Sequence, residues 1–179
     1  GIELRVHPTL IPERRLIANV DGVMNAVLVQ GDAVGPTLYY GAGAGSLPTA
    51  SAVVADVIDV ARTLTTDPGN RVPHLAFQPG ELSNRSVAAM DDVETAYYLR
   101  MTAVDRPGVV AAVAGILGDA GISIEAMQQK QPLEGETEVP LVMLTHNVLE
   151  RQMNKAIEKI EALDVIRAGV TRIRVESLS

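Results

Sequence analysis

A chain of 179 residues is long enough for one large or two small domains with real cores. Its net charge of −7 excludes the basic stripe that nucleic acid or an anionic membrane would need, and the lack of any cysteine excludes disulfides, thiolate metal sites and thiol nucleophiles together. With 3% aromatics, no Trp and one Phe, any core must be aliphatic. No apolar run approaches the ~18–20 residues of a membrane helix, and the first residues lack a signal-peptide pattern. A cytoplasmic location is therefore expected. The chain opens Gly-Ile-Glu without a Met and enters a strand at once, which reads as a fragment or a processed chain.

Residues 2–10 (IELRVHPTL) and 23–30 (VMNAVLVQ) are rich in Val, Ile and Leu and read as strands, separated by a polar turn at 11–15. Gly31-Asp32 suits a hairpin turn into a third strand over 34–40. The glycine run Gly41-Ala42-Gly43-Ala44-Gly45 then opens a helix from Ser46 to about Leu64. Its apolar residues Val53, Val54, Val57, Ile58, Ala61 and Leu64 recur at helical spacing. Ser46 is expected as N-cap, with Pro48 in the first turn where its missing N–H costs nothing. Three strands and one helix make a poor domain alone, so this segment reads as part of a larger sheet. Residues 65–96, with Pro68, Gly69, Pro73, Pro79 and Gly80, read as a connector with a short strand at 75–77.

From Tyr97 the pattern is strand, helix, strand, strand, helix, strand. The first helix puts Val109, Val113, Ile116, Leu117 and Ala120 on one face; the second does the same with Met153, Ala156, Ile157, Ile160 and Leu163. The last strand alternates, with Ile173 and Val175 expected inward and Arg172 and Arg174 outward. Two βαβ halves in this order describe a ferredoxin-like α/β sandwich. The fold class is thus α+β.

The turn Asp105-Arg106-Pro107-Gly108 ends the first of these strands. Pro107 presets φ for the helix that follows, and Gly108 lets a backbone approach closely at a helix N-terminus whose N–H groups suit a carboxylate. Asp105, and Ser123 at the start of the next strand, could hold an ammonium or a hydroxyl. Read plainly, the same residues are a strand-to-helix turn with Asp105 as N-cap. The glycine run gives G-x-G-x-G where a dinucleotide fingerprint needs G-x-G-x-x-G, so by itself it reads as a loop that turns a helix sharply. His7, His74 and His146 are not spaced as metal ligands and read as structural or solvated, so no metal is expected. Asp56 and Asp59 read as a solvated helix face. Met127, Met143 and Met153 read as core fillers, and 134–138 as a charged hairpin tip.

The strand ending D-R-P-G, the amphipathic helix and the G-I-S-I that opens the next strand make residues 97–179 resemble the ACT domain, a small-molecule, usually amino-acid, sensing module. The resemblance implies an effector held between two domains paired side by side. Asp105 and Ser123 would contact it, with backbone from Gly108 and Val109. The stretches ELRVHPTLIP, ANVDGVMNAV, GDAVGPTLYYGAGAG and PTASAVVADVIDVAR make residues 1–62 resemble the latter part of the homoserine dehydrogenase catalytic region. That resemblance implies a mixed sheet at a subunit interface and a glycine loop beside the nicotinamide cofactor, NADP or NAD. Gly45 would touch the cofactor, with Gly43 and Thr49 beside it.

Together the resemblances imply residues 1–66 as the C-terminal part of the catalytic and dimerisation domain, 67–96 as connector and 97–179 as a regulatory ACT domain. The parent would interconvert L-homoserine and L-aspartate 4-semialdehyde, under control by L-threonine or a similar amino acid, as a homodimer or homotetramer. The acid–base lysine and the nucleotide-binding domain would lie before Gly1. No catalytic residue is therefore expected within this chain, which alone should be inactive. Two alternatives are an amino-acid-binding module that controls another enzyme, and an oligomerisation piece that binds nothing.

Overall fold

The computed structural model describes residues 1–64, 77, 79–130 and 137–178. The chain divides into two compact units, one made of Gly1–Pro12 with Arg85–Ser179 and the other of Glu13–Asn84. This differs from the expected division at 66 and 97, because the first twelve residues join the later part of the chain. The strand expected at 75–77 and most of the hairpin tip lie outside the described residues.

The first unit is built on a six-stranded sheet ordered β1-β8-β4-β6-β5 (β7 pairs with β4 off this path), with strands β1 Thr9–Leu10, β4 Glu94–Val104, β5 Ile124–Gln129, β6 Glu138–Thr145, β7 Val148–Leu149 and β8 Thr171–Val175. Helices α2 Val109–Asp119 and α3 Glu150–Glu161 pack on it. Without β1 and the short β7, this is the expected βαββαβ order. β4 alternates between buried and part-exposed residues throughout, which puts Tyr97, Leu99, Met101 and Ala103 under the helices. Val113 and Leu117 of α2 and Met153, Ala156 and Ile160 of α3 complete a fully aliphatic and Met-rich core around Tyr97. Met143 and Met153 are buried as expected, whereas Met127 is 49% exposed on the outer strand β5.

Two expectations are reversed here. β1 is only two residues long, and it pairs in parallel with β8 (Thr9 with Arg174, Leu10 with Val175) rather than with the strands that follow it in sequence. Pro8, which has no N–H to give to a ladder, helps explain why residues 2–8 do not extend it. On β8, Arg174 is the register partner of buried Tyr97 and Arg172 that of buried Leu99, so both arginines lie on the helix side. Ile173, paired with Tyr98, takes the opposite face. A carboxylate from α3 turns the arginines inward, as described below.

The second unit holds an antiparallel hairpin, β2 Met24–Gly31 and β3 Gly35–Ala42, followed by helix α1 Ser46–Leu64. The helix has the expected bounds. Its first intrahelical bond runs from the Thr49 N–H to the Gly45 carbonyl, so Gly45, not Ser46, takes the capping position. No residue of α1 is buried: Val53, Val54, Val57 and Ile58 are all exposed.

Candidate functional site

The glycine loop has a reason for each of two glycines. Gly45 sits at φ +119, a backbone conformation that a side chain would strain, and this lets β3 turn into α1. At Gly43 a Cβ would collide with the Asn25 side chain, whose Cγ would lie 2.9 Å away. Asn25 is the register partner of Gly41 across the hairpin. Its amide and the Gly43 N–H both donate to the Val23 carbonyl, each at 3.3 Å. The loop is thus pinned over Asn25, a residue that the sequence reading did not single out. The N–H groups of Gly43 and Thr49 are engaged by the Val23 and Gly45 carbonyls, and Thr49 is exposed.

In the first unit, Asp105 is exposed at the end of β4, held by a bond from its N–H to the Thr137 carbonyl at 2.9 Å. It does not cap α2. Gly108 does, at φ +90, and no side chain bonds the helix N-terminus there. Val109, the first helical residue, is buried, so only its backbone can face a ligand. Arg106 turns away to Asp164 at 3.4 Å. The Asp105 carboxylate accepts at Oδ1 from the amide of Gln129, at the end of β5, at 3.4 Å. Gln129 was missed because nothing in the spacing puts position 129 beside 105. The parallel run of β4 and β5 does so.

Ser123 is also exposed, with its carbonyl accepting from the His146 N–H at 3.0 Å. It is not near Asp105. Ile124 pairs with Thr145, one step beyond the Tyr98–Leu144 pair, so β5 starts level with Tyr97. Asp105 and Ser123 therefore lie at opposite ends of the sheet, roughly 25 Å apart at the rise of a strand.

The most strongly perturbed groups lie elsewhere. Glu150, 4% exposed at the start of α3, accepts from the Tyr97 hydroxyl at 2.6 Å and from Arg174 at 2.6 and 3.2 Å, and Arg172 stands 3.2 Å away. Burial alone would push the Glu150 carboxyl up, but the bonds from Arg174 and Tyr97 and the two guanidinium charges outweigh it and hold it below its usual value. Burial, then the bond to Glu150, pushes the Tyr97 hydroxyl up. Arg172 also lies over the Tyr97 ring, 5.8 Å from its centre, and donates to Asn154 at 2.5 Å. This network ties β4, β8 and α3 together. Its full satisfaction marks a structural clamp rather than a reactive centre.

His7, beside this network, is held below its usual pKa by burial, then by the charges of Arg174 and Arg5, against the opposing pull of Glu176 and Glu150. Among the described residues no group of three or more His, Asp or Glu could hold a metal, and no helix is long and apolar enough to cross a membrane.

The sheet order and the helix pair on one face define a βαββαβ sandwich class of domain, and residues 97–165 match the ACT domain model. Residues 1–58 match the homoserine dehydrogenase model. The chain is 59% identical over its whole length to a homoserine dehydrogenase of Pseudomonas aeruginosa, and 56% identical over 99% of its length to one of Neisseria gonorrhoeae. A solved homoserine dehydrogenase of Thiobacillus denitrificans superposes with a TM-score of 0.87 at 63% identity, over 99% of this chain and 39% of that one. Along its whole length the chain is similar to homoserine dehydrogenases, and it spans about two fifths of the length of these relatives, 41% of the two curated ones.

Proposed function

We propose that this chain is the portion of a homoserine dehydrogenase that carries the cofactor-side glycine loop and an amino-acid sensor. The parent enzyme interconverts L-homoserine and L-aspartate 4-semialdehyde, and the nicotinamide cofactor, NADP or NAD, carries the hydride when bound. Gly45 and Gly43 let that cofactor approach the backbone closely, with Thr49 beside it. Among the described residues Asn25, the side chain against Gly43, does not titrate and its amide is engaged with Val23, and the proton-transfer residue belongs to the rest of the parent enzyme. The chain alone is therefore inactive, and NADPH turnover with aspartate semialdehyde by the purified chain would overturn this.

The effector is L-threonine or a similar amino acid. One observation carries the sensing mode: within one copy Asp105 and Ser123 stand at opposite ends of parallel strands, and β5 is the outer strand of its sheet. Two copies related by a two-fold axis perpendicular to β5 at the sheet edge would set their edge strands antiparallel and bring Ser123 of one beside Asp105 and Gln129 of the other. The ligand's ammonium would pair with Asp105, its carboxylate with the N–H groups that follow Gly108, and its hydroxyl with Ser123. Isothermal titration of L-threonine into the chain and into Asp105→Ala tests this. Binding by the first, weakened at least tenfold in the second, is expected. No heat with either would end it.

A further inference from the structure

The first twelve residues run along the sensing unit as a strap with little holding it. At one end Ile2 bridges to Val87, with its N–H on the Ser86 carbonyl and its carbonyl accepting the Ala88 N–H at 2.8 Å. At the other, Thr9 and Leu10 pair with β8, and the Leu10 carbonyl accepts the Glu176 N–H at 3.0 Å. Midway, Arg5 binds Glu176 at 2.6 Å and Glu3 at 2.7 Å. The apolar side chains between these points bury little: Val6 is 102% exposed and Leu4 66%. Segments with few buried apolar contacts open at low free energy, independently of the core they rest on.

The strap is also placed where opening would matter. It covers the edge of β8, the strand whose Arg174 is the register partner of both Thr9 and the core residue Tyr97. Glu176, which holds Arg5, is also within 3.5 Å of the Thr95 hydroxyl at the start of β4. β4 ends on Asp105. Beyond Pro12 the strap runs without a break into the second unit.

We propose that residues 1–12 form a releasable strand, docked on and freed from the β8 edge as the sensing sheet changes state, and so a tether whose length that sheet controls. The link to effector rests on the sensing role proposed above; the release itself does not. Amide hydrogen exchange of the 179-residue chain, resolved by NMR, tests both. The Glu176 and Ala88 amides should exchange at least tenfold faster than those of Leu99 and Met143 in the centre of the sheet. Arg5→Ala should speed the first pair severalfold and leave the second unchanged. Saturating L-threonine should change the first pair at least threefold.

Glu176 and Ala88 amides that exchange in step with Leu99 and Met143 would overturn the release. Threonine that binds by calorimetry yet leaves Glu176 and Ala88 unmoved would overturn the coupling. If threonine does not bind, the effector assignment falls, and the comparison of the unaltered chain with Arg5→Ala decides the strap by itself.

Discussion

Glu150→Ala should be the most damaging single polar change in the sensing unit. The substitution removes the acceptor for the Tyr97 hydroxyl and both Arg174 bonds, and a charge 3.2 Å from Arg172. The Arg174 side chain is 15% exposed and cannot fully rehydrate. Stranding one member of a buried pair costs about 3–5 kcal/mol. Arg172, at 28% exposed, keeps its bond to Asn154 and reaches water, which puts the expectation at the lower end, about 3 kcal/mol. Tyr97→Phe removes one hydroxyl bond to a charged group and should cost about 1.5–3 kcal/mol. Urea unfolding followed by circular dichroism measures both. Converting arginine and glutamate together, as Glu150→Leu with Arg174→Met, should recover much of the loss, because the cost lies in the orphaned charge rather than in the missing pair. A Glu150→Ala cost under about 1 kcal/mol, the range of an exposed ion pair, would refute the clamp.

Other expectations are smaller. The folded chain holds the Glu150 carboxyl below its ordinary value of 4.5, so the unfolded chain takes up that proton more readily. The stabilisation is complete above about that pH and fades as pH falls through the lower folded value; acid titration of Glu150→Gln should lack this component. His7 is likewise lowered from 6.5, so its protonation, next to Arg174 and Arg5 and only partly offset by Glu176 and Glu150, opposes the docked strap. Protection of the Glu176 amide, corrected for intrinsic exchange, should fall as pH drops below that value. Gly45→Ala, at φ +119, should cost about 1–3 kcal/mol to the order of residues 13–84 and leave the urea midpoint of the sensing unit unmoved. Gly41→Ala, which meets nothing within 4 Å, should stay within about 0.5 kcal/mol.

Where a residue's role is local, the sequence exposed it. Ser46 to Leu64 is helical because its apolar spacing and its entry glycine are properties of one segment, and the same holds for α2, α3 and the glycine turn at 105–108. What escaped depends on pairing across the sheet. The alternation on β8 has two possible faces, and hydropathy chooses Ile173 and Val175 as the inward pair. The structure chooses Arg172 and Arg174, since a buried glutamate 24 residues before Arg174 supplies the counter-charge. Gln129 came to Asp105, and Asn25 to Gly43, by register in the same way. The pairing of β1 with β8 was not legible for another reason: a two-residue strand carries too little pattern to announce its partner.

The two units also differ in what holds them in shape within this chain. The sensing unit has twelve residues in one buried cluster, and such a core orders its elements whatever else is bound. Residues 13–64 include none that is buried, and a two-stranded hairpin with one amphipathic helix is marginal in water. The exposed Val53, Val54, Val57 and Ile58 of α1 fit the reading of this segment as part of a larger sheet, and the chain spans 41% of its curated relatives. The Asn25 anchor and the Gly45 turn are therefore the local part of what orders the glycine loop, because both act between residues close in the hairpin and need no core to form.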